Sequence, residues 1–341
     1  MFTNRNQIKM SNTNRFSLKH LLENERSEYV LNPCNRHLAF KVNDNELWDL
    51  YERQFECFWQ PKEIEPAKDH GWDELTDNEK HFVSMVLAFF ATADSIVYDN
   101  LDMNFSSEVQ ITEAKFFYGM QGFMENIHSQ VYMSLLTSYV KDENEQYRLI
   151  NAIEDIPTIK KKGNWATKYF SREIPFALRL VAFAIIEGIY FSSAFASIFW
   201  LKKYKKGILD ALTLSNSFIA RDEGLHTEFA VALFKRLARI PLQHDVHKCF
   251  TEAVQLELEF VRDILNVSVI GMDHTKLCDY VKFCADRLLA QLGYEELYNI
   301  KSNPLSFMET QSMRVATNFF ESKVHEYALA PQGEYCESAE F

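Results

Sequence analysis

Glycine and proline are scarce in this chain, and their scarcity limits the folds available to it. Only 10 Gly and 8 Pro occur among 341 residues, and long runs contain neither. Such runs favour long helices, because many short strands would need frequent turn residues between them. A hydrophobic content of 47% is enough to bury a large core. The sequence therefore predicts an all-α protein.

Charge and cysteine usage limit the partners and the compartment. The formal net charge is −12, whereas binding to nucleic acid or anionic lipid requires a basic surface. The six cysteines form no C-x-x-C pair, which favours a reducing compartment over a disulfide framework. The first residues, MFTNRNQIKMSNTNR, lack the apolar core of a secretory signal. We expect a cytoplasmic protein whose partners are proteins and small molecules.

One apolar run could be mistaken for a membrane span. The run LVAFAIIEGIYFSSAFASIFWL, at 180–201, is long enough to cross a bilayer. The sequence analysis finds no second such run that could bury Glu187 in a membrane bundle, whereas the central helix of a soluble bundle can be apolar on every side. We therefore interpret the run as a core helix and expect no membrane partner.

Hydrophobic periodicity divides the chain into helices and two polar ends. A capping box, TDNE, opens the first of four long helices, which are predicted over about 76–101, 108–141, 175–207 and 214–237. The stretch around IPTIKKKGNW, 156–165, is predicted to be a loop, and a last helix is predicted over 313–328. The polar segment 1–28 and the acidic tail 326–341 are predicted to be flexible, which leaves 29–325 as one domain.

The stretch ENIHSQVY places three reactive side chains on one helical face. At about 100° per residue, positions i, i+3 and i+7 point the same way, so Glu125, His128 and Tyr132 converge. A single E-x-x-H motif is equally typical of a solvated polar stripe. The rest of the chain is needed to choose between the two interpretations.

The long helices each carry an acid on an otherwise apolar face. A lone acid precedes an E-x-x-H pair, and this order occurs twice: Asp94, Glu125 and His128, then Glu187, Glu223 and His226. Dimetal carboxylate proteins of the ferritin-like type use this set in a four-helix core, with Asp94 here in a position usually held by Glu. We predict a ferritin-like helical bundle with a dimetal carboxylate site.

Charge balance gives the physical reason for metals at these positions. Four ionised carboxylates in one apolar core would cost many kcal/mol in desolvation and repulsion, and two divalent cations would neutralise them. Oxygen and nitrogen ligands without a thiolate suit iron or manganese better than zinc. Tyr132 would lie within reach of the metals, where a dry phenol could persist in a one-electron oxidised form. The alternative is an ordinary core tyrosine hydrogen-bonded to a ligand.

Several longer strings resemble one family, the radical-generating small subunit of class I ribonucleotide reductase of the eukaryotic and viral type. They include FWQPKEIE, LAFFATADSIV, TEAKFFYGMQGFMENIHSQVY, VAFAIIEGIYFSSAFASIFWLKK, ARDEGLH, CADRLLAQLGY and TNFFESKVHEY. The resemblance runs from about residue 30 to the end. It implies two iron ions per chain, with manganese as the alternative: one held by Asp94, Glu125 and His128, the other by Glu187, Glu223 and His226.

The resemblance also assigns roles in radical chemistry. Dioxygen would oxidise the metals and leave a stable radical on Tyr132. Trp59 and Asp222, with Arg221 nearby, would join His128 in a path for protons and electrons, and Tyr327 would continue it. The tail ending at Phe341 would dock on the large catalytic subunit, which binds the ribonucleotides. The small subunit would form a homodimer.

Two other functions use part of the same pattern. A ferroxidase or a diiron oxidase of small organic molecules needs the same six ligands but none of Tyr132, Trp59, Asp222 and Tyr327. A helical interaction protein with structural carboxylates would bind no stoichiometric metal.

Overall fold

The computed structural model describes residues 14–32, 41–205 and 207–308. The residues up to Pro304 belong to one compact unit, and a second unit begins at Leu305. The predicted helix over 313–328, the acidic tail, Tyr327 and Phe341 lie outside the described residues.

Helices make up most of the described chain, which confirms the all-α prediction. In chain order they are α1 (Leu18–Asn24), α2 (Asn45–Glu56), α3 (Asp77–Asn100), α4 (Ser106–Glu108), α5 (Thr112–Tyr139), α6 (Glu143–Ile150), α7 (Ala152–Asp155), α8 (Pro157–Lys168), α9 (Phe176–Ile185), α10 (Ser192–Tyr204), α11 (Asp210–Phe234), α12 (Gln243–Phe260) and α13 (His274–Gln291). Short 3₁₀ turns occupy Glu25–Ser27, Tyr29–Leu31, Pro61–Glu63, Pro66–Lys68, His70–Glu74 and Val267–Ile270.

The central bundle is formed by the helices predicted to carry the acids. Helix α3 packs along α5, and α11 packs against α9, α10 and α5. Helix α2 covers α5 and α11 on one side. Thr76 and Glu79 form the predicted capping box at the start of α3, because each side chain bonds to the backbone N–H of the other residue.

Three π-helical segments interrupt this regular packing. They span Leu101–Phe105, Ile186–Tyr190 and Val261–Leu265. The second one separates α9 from α10, so the single helix predicted over 175–207 is broken in its middle. A π segment inserts one extra residue per turn and occurs often at functional sites. Here it contains Glu187, one of the predicted metal ligands.

The loop predicted at 156–165 is wrong, because residues 157–165 lie in α8 and Ile156 immediately precedes that helix. Pro157 occupies the first turn of α8, where its missing N–H costs nothing. Lys162 points into the core, where its ammonium bonds to the Glu257 carboxylate and donates to the Tyr190 carbonyl at 3.1 Å. A run of three lysines resembles a solvated loop in sequence, and the buried ion pair explains the difference.

The segment 1–28 was predicted to be flexible, but its described part carries regular structure. Strand β1 (Arg15–Phe16) pairs in parallel with β2 (Ile240–Pro241). Ser17 caps α1, and the Arg15 guanidinium donates to the Gly293 carbonyl at 2.8 Å. These contacts are made by polar groups, namely a capping hydroxyl and a guanidinium. A polar composition of this kind therefore predicts flexibility from the sequence alone.

Within the described residues, two helical stretches are long and apolar enough to cross a membrane by length and composition alone, Asp77–Glu108 and Phe176–Tyr204. The first stretch contradicts the prediction that 180–201 is the only such run in the sequence. Both stretches are mostly buried within the protein, as core helices of soluble proteins also are.

Candidate metal centre

Six acidic and imidazole side chains from four elements converge in the core, and we call them the carboxylate cluster. Asp94 lies on α3, Glu125 and His128 on α5, Glu187 on the π segment, and Glu223 and His226 on α11. All six are buried, with at most 2% of their surface exposed. The structure thus brings together every residue that the sequence analysis proposed as a ligand.

The cluster divides into two overlapping groups. In each group, one ligand atom per residue lies within 4.8 Å of those of the others. The groups are Asp94, Glu125, His128 and Glu223, and Glu125, Glu187, Glu223 and His226. Glu125 and Glu223 belong to both, which places them to bridge two cations. The family resemblance alone had implied that each of them binds one metal only.

Both imidazoles direct Nδ1 towards the carboxylates. His128 Nδ1 lies 3.3 Å from Glu125 Oε2 and 3.2 Å from Glu223 Oε1. His226 Nδ1 lies 3.2 Å from Glu125 Oε1 and 3.1 Å from Glu223 Oε2. Each histidine therefore faces the acid of the opposite helix as closely as the acid of its own helix. A cation bound between these atoms would have nitrogen and oxygen donors from both helices.

Many donor atoms of the cluster lack a hydrogen-bond partner among the described residues. They are Asp94 Oδ1 and Oδ2, both Glu125 carboxylate oxygens, His128 Nδ1, Glu187 Oε2 and Glu223 Oε1. Buried polar atoms are normally paired, and an unpaired carboxylate in the core is costly. These unpaired atoms fit a pair of divalent cations, for which carboxylate oxygen and imidazole nitrogen are suitable ligands.

The pKa values of two acids also show that burial and mutual repulsion disfavour their negative charges. Burial raises the pKa of the Asp94 carboxyl well above its usual value, and the charge on Glu125 raises it further. Burial likewise raises the pKa of Glu187, which also faces Glu223. Two of the acids therefore favour the protonated form in the protein without metal.

The pKa values of the two imidazoles are also raised, although burial alone would lower them. Burial lowers the pKa of His128, but the neighbouring carboxylates of Asp222, Glu125 and Glu223 raise it well above the usual value. Burial also lowers the pKa of His226, and nearby Glu223 and Glu125 outweigh that effect. In the protein without metal, the neighbouring carboxylates therefore favour the protonated, positively charged form of both imidazoles.

Tyr132 lies beside the cluster in a dry aromatic pocket. Its ring stacks on Phe90 at a centroid distance of 4.9 Å, and Phe90 in turn contacts Phe191 and Phe195. Its hydroxyl has no hydrogen-bond partner among the described residues. The alternative of a core tyrosine bonded to a ligand is therefore not what the structure shows. Burial, with the nearby Asp94 carboxylate, raises the pKa of this phenol well above its usual value.

A hydrogen-bonded chain leaves the cluster through His128. The Trp59 indole N–H donates to Asp222 Oδ2 at 2.7 Å, and His128 Nε2 lies 3.2 Å from the same oxygen. Arg221 donates to Asp222 Oδ1 at 3.1 Å and to the Cys57 carbonyl at 2.6 Å. Burial raises the pKa of Asp222, but Arg221 and His128 bring it below its usual value. The three predicted residues Trp59, Asp222 and His128 are thus in direct contact.

Two glutamines that were not predicted from the sequence, Gln121 and Gln54, also contact the cluster. Gln121 donates from Nε2 to Glu187 Oε1 at 2.9 Å, and Gln54 Nε2 lies 3.0 Å from His226 Nε2. Both side chains are buried. Gln121 could have been found, because it lies four residues before Glu125 on the same face. Gln54 lies on α2, and its spacing along that helix gives no such signal.

Comparison with known proteins agrees with this geometry. Residues 36–304 match the family model "Ribonucleotide reductase, small chain". The chain is 47% identical over 294 residues to the ribonucleoside-diphosphate reductase small chain of Vaccinia virus (strain Ankara), covering 86% of this chain and 91% of the relative. It is 46% identical over 294 residues to the ribonucleoside-diphosphate reductase subunit M2 of Mesocricetus auratus, covering 86% of this chain and 75% of the relative.

A solved structure shows the same fold. The Rnr4 homodimer of Saccharomyces cerevisiae aligns with a TM-score of 0.79 and 34% identity, covering 91% of this chain and 96% of that chain. The resemblance inferred from the sequence motifs is therefore confirmed. The chain belongs to the ribonucleotide reductase small-chain family, and to its eukaryotic and viral type.

Proposed function

We propose that this chain is a radical-generating small subunit of ribonucleoside-diphosphate reductase. The observation that carries the proposal is the carboxylate cluster, whose unpaired donor atoms form two overlapping groups beside an unpaired phenol. One group would hold one metal ion and the second group the other, with Glu125 and Glu223 shared. Iron is the proposed metal, and manganese is the alternative with the same ligand preference.

Tyr132 and an external donor would account for the two electrons that the metal ions do not supply. When bound, the two ions would supply two of the four electrons that reduce dioxygen to water. Tyr132 supplies a third electron and loses its phenolic proton, which leaves a neutral radical on the ring. The fourth electron enters from outside through Trp59. The rings of Phe90, Phe191 and Phe195 exclude water from the radical.

Helix geometry favours Tyr132 over a second buried phenol. Tyr118 lies seven residues before Glu125, as Tyr132 lies seven after it, and its hydroxyl also has no hydrogen-bond partner among the described residues. In an α-helix the Cα–Cβ bond leans towards the N-terminus. The side chain of Tyr132 therefore leans towards the ligands, whereas that of Tyr118 leans away.

The contacts between Trp59, Asp222 and His128 provide a route for electron transfer between the metal centre and the outside of the bundle. Asp222 accepts from the indole N–H and faces the outer nitrogen of a metal-binding imidazole. An electron that passes through Trp59 can therefore be accompanied by movement of the indole proton towards Asp222. A ferroxidase or a diiron oxidase of small molecules has no need of this connection.

The partners belong to the same proposal. The large catalytic subunit would bind the tail ending at Phe341, with Tyr327 as the next residue on the radical path. A homodimer is supported by the yeast relative, whose structure is a homodimer. Exposed Phe55, Phe116 and Phe123 on the packed helices α2 and α5 offer an apolar face for such a contact. We propose a cytoplasmic location and the domain boundaries predicted above, 1–28, 29–325 and 326–341.

Electron paramagnetic resonance tests the proposal directly. Ferrous iron and oxygen added to the metal-free protein should give a tyrosyl radical and about two irons per chain. Tyr132→Phe should abolish the radical but retain the iron, and the matched variant Tyr118→Phe should keep both. A radical that survives in Tyr132→Phe would assign the wrong residue, and a protein that takes up no iron would contradict the whole proposal.

A synthetic peptide with the sequence of the tail tests the proposed dock. It should compete with the full chain for the large subunit and inhibit turnover. Deletion of Phe341 from the peptide should weaken the competition, and a peptide without any effect would mean that the tail does not dock.

A further inference from the structure

A buried glutamine on α2 contacts the outer nitrogen of His226. Gln54 has 2% of its surface exposed, and its Nε2 lies 3.0 Å from His226 Nε2. Its Oε1 is buried and has no hydrogen-bond partner among the described residues. As placed, two nitrogens face each other while an amide oxygen is left unpaired.

The position of the ring proton follows from the other side of the imidazole. His226 Nδ1 lies within 3.2 Å of the Glu125 and Glu223 carboxylates. A cation can bind Nδ1 only through a lone pair, so the proton of the neutral ring must be on Nε2. An Nε2–H group needs an acceptor, and an amide nitrogen cannot accept.

Rotation of the amide by about 180° removes the conflict, because amide O and N have nearly the same shape and are assigned from their hydrogen bonds. We propose that Gln54 is a positioning residue whose Oε1 accepts from His226 Nε2–H and so holds the ring with Nδ1 directed at a metal ion. This inference rests on the proposed dimetal function. It assigns Gln54 no contact with dioxygen or with Tyr132.

The two halves of the cluster then differ in charge. The outer nitrogen of His128 faces the Asp222 carboxylate at 3.2 Å, whereas that of His226 faces a neutral amide. Glu187 also receives a bond from an amide, that of Gln121. A carboxylate partner makes an imidazole a stronger donor than an amide partner does. The His226 half should therefore bind its cation more weakly than the His128 half, and only the His226 half should depend on Gln54.

Manganese binding to the full-length, metal-free protein tests this inference without any turnover. Titration with Mn²⁺ gives the two affinities, and the electron paramagnetic resonance spectrum distinguishes a coupled pair from a single six-line ion. The second ion is the one bound at the His226 half. Gln54→Leu should weaken the binding of this ion about 10- to 100-fold, the usual effect of removing a hydrogen-bond partner of a metal-bound histidine. At intermediate Mn²⁺ it should show the spectrum of a single ion. Gln54→Glu retains an acceptor oxygen and should restore the coupled pair.

The control is Gln146→Leu, since Gln146 lies on α6 and bonds to the Val140 carbonyl outside the cluster. It should bind both ions as the unsubstituted protein does. Gln54→Leu with unchanged affinities would overturn the inference. So would Gln54→Glu binding the second ion as weakly as Gln54→Leu, because an acceptor would then have no role. If the unsubstituted protein binds no manganese and no iron, the proposed function fails instead.

Discussion

Substitution of Asp94 by Asn should stabilise the metal-free protein but reduce the stabilisation that metal binding adds. Both carboxylate oxygens of Asp94 are buried and have no hydrogen-bond partner in the described part of the chain. At a dielectric constant of about 20, two charges about 5 Å apart repel by about 3 kcal/mol. The raised pKa of Asp94 means that part of this repulsion is already removed by protonation. We therefore expect metal-free Asp94→Asn to be more stable than the parent by between about 0 and 3 kcal/mol.

The same change should reduce the increment of stability that metal binding adds. At 100 times the dissociation constant, each bound ion stabilises the folded state by about 2.7 kcal/mol. The unfolding entropy is about 2 cal/mol/K per residue. For a chain of 341 residues, two such ions should therefore raise Tm by about 8 °C. If the lost ligand weakens the binding of one ion about 100-fold, that ion contributes only about 0.4 kcal/mol and the rise should fall to about 5 °C.

Thermal unfolding with and without Mn²⁺ measures both effects. Asp286→Asn is a matched control, because Asp286 is also buried but accepts from the N–H groups of Leu297, Tyr298 and Ile300. It should lower Tm by a similar amount in both states. The reasoning would be refuted if metal-free Asp94→Asn unfolded as readily as Asp286→Asn, or if Mn²⁺ raised its Tm by the full amount.

Three further outcomes follow from the site and the core. The raised pKa values of His128 and His226 mean that each ion displaces a proton when it binds. Manganese affinity should therefore rise by up to about tenfold per pH unit for each proton released. Titration with Mn²⁺ at pH 6.5 and pH 7.5 measures this change. Trp59→Phe removes the bond to the neighbouring aspartate and should slow turnover with the large subunit while the metal content stays constant; an unchanged rate would exclude this route. Lys162→Met should lower the free energy of unfolding by about 3–5 kcal/mol, and adding Glu257→Leu should recover part of the loss in denaturant titrations, because the lone buried charge is then gone.

Helical periodicity was sufficient to predict the ligands and the helices that carry them. An apolar stripe with one acid in it already specifies which face of a helix is buried, and chain order then pairs each lone acid with an E-x-x-H motif. The same reasoning failed for α8, where a lysine run conceals a buried cation paired with Glu257. It also failed for the π segment around Glu187, because a single inserted residue leaves almost no trace in an apolar sequence.

Hydrophobic periodicity does not predict which residues of two different helices contact each other. Gln54 meets His226 across 172 positions of sequence, and only the packing of α2 on α11 brings them together. The stacking of Phe90 on Tyr132 has the same origin, since the stripe of α3 identifies Phe90 as buried but not its neighbour. Residues that hold ligands in place are therefore harder to predict than the ligands themselves.

The shared acids explain why Asp94 is the more informative substitution. Glu125 and Glu223 each lie in both groups, and each contacts the histidine of the opposite helix at 3.2 Å. Loss of either acid would remove a ligand from both ions and leave no ion unaffected for comparison. Asp94 belongs to a single group. Its substitution therefore changes one half of the centre while the other half, with Glu187 and its own histidine, reports whether the remaining geometry is intact.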